Sequence, residues 1–369
     1  MRELYIGLMS GTSLDGADAV LVDFAGPQLQ VLGYRAQPFP EGLKSDLLAL
    51  NTPGPDELHR AALAGNAVSR IYAELVNTLL QDAHIQAGEV RAIGAHGQTV
   101  RHRPQEFDGT GYTLQLQNPA LLAELTAIAV VADFRSRDVA AGGQGAPLVP
   151  AFHQGIFGST TETVMALNIG GISNISILPA HGPVIGFDCG PGNALMDHWC
   201  QLHTGHPYDA QGQWAASGSV HPGLLADLLR EPFLQKLPPK STGRDLFNMH
   251  WLDAKLQVYP DIPPADVQAT LTEFTARACA DSATLHAQGA TRLAVCGGGA
   301  LNTHLMQRLQ ALLGPVLVQP SDALGLPVMQ VEASAFAWLA RQTLQGLTGS
   351  LPNVTGAQGA RVLGAIYPA

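Results

Sequence analysis

Apolar runs broken by knots of small polar residues set the rhythm of this chain from its start. Residues 4–9 and 17–24 are two strand-compatible apolar runs, and the turn between them, 10–16, is made of Gly, Ser, Thr, Leu and Asp. A helix is predicted over about 55–82, where Leu58, Ala62, Ile71, Leu75 and Leu79 recur at helical spacing. The stretch VRAIGAHGQT (90–99) reads as a short buried strand entering a Gly-rich polar turn, and YTLQLQ (112–117) alternates as a half-buried strand does. Asn118 and Pro119 then open a helix as N-cap and first residue. Residues 128–134 predict another strand, ending in the charged loop RSRD.

The opening pattern then returns. Residues 163–178 are again strand, small polar turn and strand; 183–199 are strand, Gly-rich turn and helix; 291–313 are strand, triple glycine and helix; 360–368 are a short strand. The Gly/Pro-rich AAGGQGAPLVP (140–150) is the expected crossing between domains. Two Gly-turn hairpins, one heading each half, predict an α/β protein of two similar domains facing each other. Residues 1–135 with 350–369 form the expected N-terminal lobe, and 136–349 the C-terminal lobe. Ligands would bind in the crevice where the strand-end loops meet.

Composition narrows the function. The chain has 369 residues, 46 % hydrophobic and 14 % charged, which fits a large folded core and excludes a disordered chain. Net charge is −10 with no Lys/Arg run, which argues against a nucleic-acid or anionic-membrane partner. A small anionic substrate needs only one or two placed arginines. No apolar run approaches the ~20 residues of a membrane helix. The four cysteines (Cys189, Cys200, Cys279, Cys296) form no CxxC pair, so a reduced, cytoplasmic protein without a signal peptide is expected.

Several turns can carry chemistry. The segment Gly11, Thr12, Ser13, Leu14, Asp15, Gly16 lacks the lysine of a P-loop. Its backbone N–H groups could still cradle phosphate, with Ser10, Thr12 and Ser13 hydroxyls as neutral donors. Asp15 would act only through Mg²⁺ and its waters. An ordinary hairpin turn accounts for the same residues equally well. Gly170 and Gly171, in the uncharged turn 168–174, and the triple glycine Gly297, Gly298, Gly299 are each weak signals, which gain weight if opposed domains bring all three turns to one cleft. Asp188 follows the apolar VIGF and precedes CGPGN, at a strand's expected C-terminal edge; it could be a general base or the cap of a helix near Asn193. The cluster His96, Gly97, Gln98, Thr99 and the loop Asp133, Phe134, Arg135 end apolar strands and suit hydroxyl and carboxylate recognition. Glu332 heads an Ala-rich amphipathic helix, where it either favours the helix dipole or accepts a substrate hydroxyl or amide. His203 with His206, and His96 with His102, lack a helix-phased acidic partner, which weighs against zinc. No GxSxG elbow occurs, and Cys189 has no evident His partner.

At these residues the sequence resembles a known family. GLMSGTSLDGADAVL, GAHGQT, ADFRSRD, NIGGISNIS, GFDCGPGNALMD, STGRDLF and VEASAFAWLA, in order from residue 7 to residue 340, are similar to the bacterial 1,6-anhydro-N-acetylmuramic acid kinases of the sugar kinase/Hsp70/actin superfamily. The resemblance implies a duplicated ribonuclease H-like fold with a central cleft and an ATP- and Mg²⁺-dependent enzyme of cell-wall recycling. Such an enzyme opens the anhydro bridge with water and phosphorylates the freed O6. It implies an ATP phosphate segment from Gly11 to Asp18, including Ala17, with Asp188 as the catalytic base. Arg135 and Glu332 would bind substrate, joined by His96, with Asp133 beside them. Cys189 stands where the family often has Thr, and Asp245 where Glu is usual. A homodimer is compatible with this picture. The alternatives are another small-molecule kinase or phosphohydrolase of the superfamily, and a non-enzymatic nucleotide switch of the actin or Hsp70 kind; His96, Arg135 and Glu332 argue against a switch, which needs no small-molecule pocket.

Overall fold

The computed structural model describes residues 2–11, 13–243 and 246–369; Thr12 and Asp245, both singled out above, lie outside the described residues. The chain divides into two compact units, Met1–Phe152 with Gln330–Ala369, and His153–Met329. The boundaries expected at 135/136 and 349/350 both fall inside the first unit. The reason is packing: the helical turn Ser136–Ala140 lies against that unit's strands, and the helix Val331–Leu344 is pressed onto its sheet.

Among the described residues the first unit holds one sheet. Its strands are β1 (Leu4–Ser10), β2 (Gly16–Asp23), β3 (Gln30–Pro38), β4 (Val90–Pro104), β5 (Gly111–Leu116), β6 (Val130–Ala132) and, from the chain's end, β12 (Ala365–Tyr367). The order is β12-β6-β4-β1-β2-β3, with β5 on β4. β1, β2 and β3 form an antiparallel meander, and β4 and β6 continue the sheet in parallel from β1. The second unit repeats this plan with β7 (Thr163–Ile169), β8 (Ile172–Leu178), β9 (Ile185–Pro191), β10 (Ala290–Cys296) and β11 (Leu317–Pro320), in the order β11-β10-β7-β8-β9. Again three strands are antiparallel and two continue in parallel. A meander extended by two parallel strands, made twice, is the duplicated ribonuclease H-like arrangement of the sugar-kinase and actin fold.

β1 reads as an unbroken apolar run because both faces of its sheet are covered. On one face the helix Glu57–Ala83 buries Val68, Ile71, Tyr72, Leu75, Val76 and Leu79 against Ile6, Leu8, Leu21 and Ile93. Leu58, 90 % exposed, and Ala62 lie off that face, so the apolar stripe begins a turn later than its spacing suggested. On the other face Ala333, Phe336, Ala337 and Ala340 meet Tyr5, Val20, Val22 and Val131. The Val331–Leu344 helix is therefore buried nearly all round and not amphipathic. In the second unit the long helix Pro264–His286 plays the covering role, with Val267, Leu271 and Phe274 in the core beside Ile175, Phe187 and Val295. No described helix is long and apolar enough to cross a membrane.

Three local expectations change. β4 does not turn at Gly97 but runs on to Pro104; Gly97, at φ 79°, sits where the β1–β4 register shifts. RSRD is part of a helical turn. β9 continues past Asp188 to Pro191, which places the carboxylate within a strand.

The Val331–Leu344 helix lies so close to the sheet that an added Cβ on Gly7 would fall 1.8 Å from the Ala333 carbonyl oxygen, and one on Gly94 2.0 Å from that of Phe336. Gly94→Ala is expected to destabilise the fold by about 3 kcal/mol, read by urea unfolding. Gly42→Ala, on an open helical position, is the control and should be neutral or slightly stabilising. Equal stabilities for the two variants would contradict this packing.

Candidate functional site

The turn after β1 is shaped from behind. Gln98 Nε2 donates to the Gly11 carbonyl at 3.0 Å, and Leu14 N to the same oxygen at 3.3 Å, with Leu14 at φ 60°. Leu14 and Ala17 point their side chains into the core, so only their backbone could meet a ligand. The Ser10 hydroxyl, expected as a phosphate donor, is buried and bonded to the Tyr72 hydroxyl at 2.8 Å and the Gly97 carbonyl at 3.1 Å; it serves the fold. Asp15 is exposed and accepts the Ser13 hydroxyl at 2.6 Å. Gly16 backs onto β3, where a Cβ would lie 2.3 Å from the Gln37 carbonyl oxygen. Asp18, on β2, accepts the Tyr34 hydroxyl at 2.5 Å. Burial pushes its carboxyl up to about 6, with Asp15 adding to the rise and the Tyr34 bond opposing it.

A second group assembles around His96. Arg135 donates to His96 Nε2 through Nε at 3.1 Å and Nη2 at 2.9 Å, and through Nη1 to the Gly145 carbonyl at 2.8 Å. An Nε2 that accepts carries no proton, so the ring is the neutral Nδ1–H tautomer. Burial first, and the Arg135 charge second, hold its pKa well below the ordinary 6.5. Phe336 lies against the imidazole at 4.7 Å between ring centroids. Glu332 stands one helical turn before Phe336, on the same face of the helix. Asp133, next in line, is exposed at φ 58° and accepts the Ser136 hydroxyl at 2.5 Å.

In the second unit two Gly turns and a helix start interlock. Asn193 N donates to Gly170 O at 2.7 Å, Gly192 N to Gly171 O at 3.0 Å, and Asn193 Nδ2 to Ile169 O at 3.0 Å. A Cβ on Gly192 would fall 2.2 Å from Gly170 O; on Gly297, at φ 77°, 2.5 Å from Asn168 Oδ1; on Gly298, 3.4 Å from Asn193 Nδ2. Gly170, Gly171, Gly297 and Gly298 are thus brought into one knot of bare backbone. Asp188 is buried on β9 opposite Asn174, its N–H donating to Lys240 O at 3.1 Å and its Oδ2 accepting Thr242 N at 2.8 Å. It does not cap the helix Ala194–Thr204. Cys189, fully buried beside it, has its thiol pushed well up by burial.

Tyr34, Asn193 and Thr242 support these groups without an assigned role, whereas Gln98, expected at the substrate, is fully buried and braces the Gly11 turn instead. Asn193 and Thr242 stood inside quoted motifs, but no linear pattern ties Thr242 to a carboxylate 54 residues away.

A family model described as anhydro-N-acetylmuramic acid kinase matches residues 3–369. The chain belongs to this family. A curated family member from Variovorax paradoxus is 63 % identical, over all of this chain and 99 % of that protein. One from Albidiferax ferrireducens is 60 % identical, with all of both chains covered. Among solved structures, the activator of a 2-hydroxyisocaproyl-CoA dehydratase from Clostridium difficile with bound ADPNP is aligned over 94 % of this chain and 96 % of its own, at 11 % identity and a TM-score of 0.48, a likeness too weak to carry the assignment.

Asp18 gives this family member a distinct pH signature. Its carboxyl titrates near 6 when folded against an ordinary 3.8, so the unfolded chain releases that proton first as pH rises. The stability it contributes is complete below about 3.8 and is lost as pH climbs through about 6. Asp18→Asn, which keeps an acceptor for Tyr34, should reduce the fall in unfolding free energy between acid and neutral pH by roughly 2 kcal/mol. Denaturant titrations at both ends of that window check it; an unchanged pH dependence would contradict the assignment.

Proposed function

We propose that this chain is an ATP-dependent anhydro-N-acetylmuramic acid kinase of peptidoglycan recycling in the bacterial cytoplasm. It opens the 1,6-anhydro ring with water and phosphorylates O6, giving N-acetylmuramic acid 6-phosphate. The observation that carries the reading is the end-to-end identity of 60–63 % with relatives so named.

Roles follow from the chemistry of each group. Asp188, oriented by the Thr242 N–H, takes a proton from water as the water oxygen bonds to the anomeric carbon and the bond from that carbon to O6 breaks. O6 then bonds to the terminal phosphorus of ATP and ADP leaves. Arg135 presents its guanidinium to the lactyl carboxylate, where a planar fork suits two oxygens. His96, neutral and held by Arg135, offers a hydrogen bond without adding charge. Glu332 accepts a sugar hydroxyl or amide, and the exposed Asp133 is a second acceptor for the sugar. The backbone of Gly11, Ser13, Leu14, Asp15, Gly16, Ala17 and Asp18 in the first unit suits phosphate oxygens, and so does that of Gly170, Gly171, Gly297 and Gly298 in the second.

Phosphoryl transfer asks chiefly for positioning and charge neutralisation, which makes a missing P-loop lysine tolerable. No group of three or more His, Cys, Asp or Glu side chains suited to a metal occurs among the described residues. Mg²⁺ bound mainly by phosphate oxygens and water needs only one or two carboxylates, and Asp15 and Asp18 on the first hairpin fit that need. When bound, it would neutralise phosphate charge.

The reading is tested by incubating the protein with ATP, Mg²⁺ and the anhydro-sugar and weighing the product, which should gain one water and one phosphoryl group. Asp188→Asn should lower turnover about 10³-fold while ATP affinity changes less than about twofold. ATP consumed without that mass gain, or near-normal turnover by the variant, would reject it.

A further inference from the structure

The loop that follows Arg135 is held by a side chain to which neither motif nor relative assigns a role. Asp138 is fully buried, and its two oxygens are spent differently. Oδ1 accepts the Thr355 hydroxyl at 2.8 Å; Oδ2 accepts Gly145 N at 2.8 Å. The carbonyl of that same Gly145 receives Arg135 Nη1 at 2.8 Å. The Gly145 residue is thus gripped from both sides, a carboxylate on its N–H and a guanidinium on its C=O, and the guanidinium continues to His96. An unbroken polar relay runs from Thr355 through Asp138, Gly145 and Arg135 to His96.

The loop is built for this contact. Gly145 stands at φ 67°, in the left-handed region that favours glycine. Gly143 has no space for a side chain: a Cβ there would lie 2.2 Å from Asp138 Oδ2. Gly143 N donates to the Asp138 carbonyl at 2.9 Å, and Gln144 N to the Thr355 carbonyl at 2.7 Å, so both anchors also hold the loop through their backbones. Asp138 lies one helical turn beyond Arg135, with Val139 N and Asp138 N both donating to Arg135 O. A buried carboxylate is costly unless its partners are in place. Here the partners are in place, and the Arg135 guanidinium is held at both Gly145 O and His96 Nε2.

We propose that Asp138, with Thr355 behind it, is a positioning residue for sugar recognition, setting the guanidinium of Arg135 through the Gly145 peptide. The inference rests on the reading of Arg135 as the partner of the sugar carboxylate. Asp138→Asn is nearly isosteric, but when its oxygen accepts the Thr355 hydroxyl its amide presents N–H to the Gly145 N–H. The peptide is then released and Arg135 loosened.

The test is steady-state kinetics on the full-length enzyme, varying the anhydro-sugar and ATP separately, for wild type, Asp138→Asn, Thr355→Val and Thr355→Ser. Asp138→Asn and Thr355→Val are expected to raise the KM for the sugar about tenfold, with the KM for ATP within about twofold. Thr355→Ser, which keeps the hydroxyl, should restore the sugar KM. In an Arg135→Lys background, Asp138→Asn should add little further loss. The proposal is overturned if a folded Asp138→Asn or Thr355→Val leaves the sugar KM unchanged, if both KM values rise together, if Thr355→Ser behaves like Thr355→Val, or if the losses with Arg135→Lys are additive. Should Asp138→Asn fail to fold, the Thr355 pair decides alone. Failure of wild type to turn over the anhydro-sugar would count instead against the functional reading beneath it.

Discussion

Backbone pressed on backbone with no Cβ between is the contact on which both units depend. In the first unit Gly7 and Gly94 admit the carbonyls of Ala333 and Phe336 to the sheet surface. The Val331–Leu344 helix can then sit low enough to bring Phe336 onto His96. In the second unit Gly192, Gly297 and Gly299 let three chain segments occupy space that side chains would fill. The hydrogen bonds of Gly192 and Asn193 to Gly170 and Gly171 then lock the knot. The glycines are therefore structural before they are functional.

Electrostatics completes the picture with few charges. His96 is kept neutral because Arg135 points its donors at Nε2 and burial penalises a second cation. Asp138 supports the same arginine from the other side of a peptide. Asp188 is oriented by a main-chain N–H of a neighbouring segment. Backbone donors and singly placed side chains of this kind suit phosphoryl transfer, where rigid positioning counts for more than covalent chemistry.

Much of this was legible in the sequence because local rules and tertiary structure agree. The paired hairpins at 4–24 and 163–178, the Asn118 cap that accepts Leu121 N, and the strand–glycine–helix run at 291–313 all follow from patterns a few residues long. The repetition of those patterns announced a duplicated fold. Misreadings arose where tertiary contacts override the local signal. Gly97 reads as a turn, yet the sheet absorbs it as an irregularity of a long strand. The Ser136–Ala140 turn reads as loop because its helix is a single turn pinned by Asp133 and Asp138. Ser10 reads as a ligand donor, and only the fold reveals that Tyr72 claims its hydroxyl. Asp138 and Thr355, 217 residues apart, carry no shared signal in one dimension.

The proposed function has the second-unit knot hold the nucleotide through bare backbone, at Gly297 a backbone that only glycine permits. It is tested most directly by the ATP affinity of Gly297→Ala, measured by calorimetry on protein whose circular dichroism matches wild type. The added methyl would meet Asn168 Oδ1 at 2.5 Å and Ile169 O at 2.8 Å from a backbone at φ 77°. ATP binding is expected to weaken at least about tenfold, roughly 1.4 kcal/mol. A folded variant that binds ATP as tightly as wild type would contradict it.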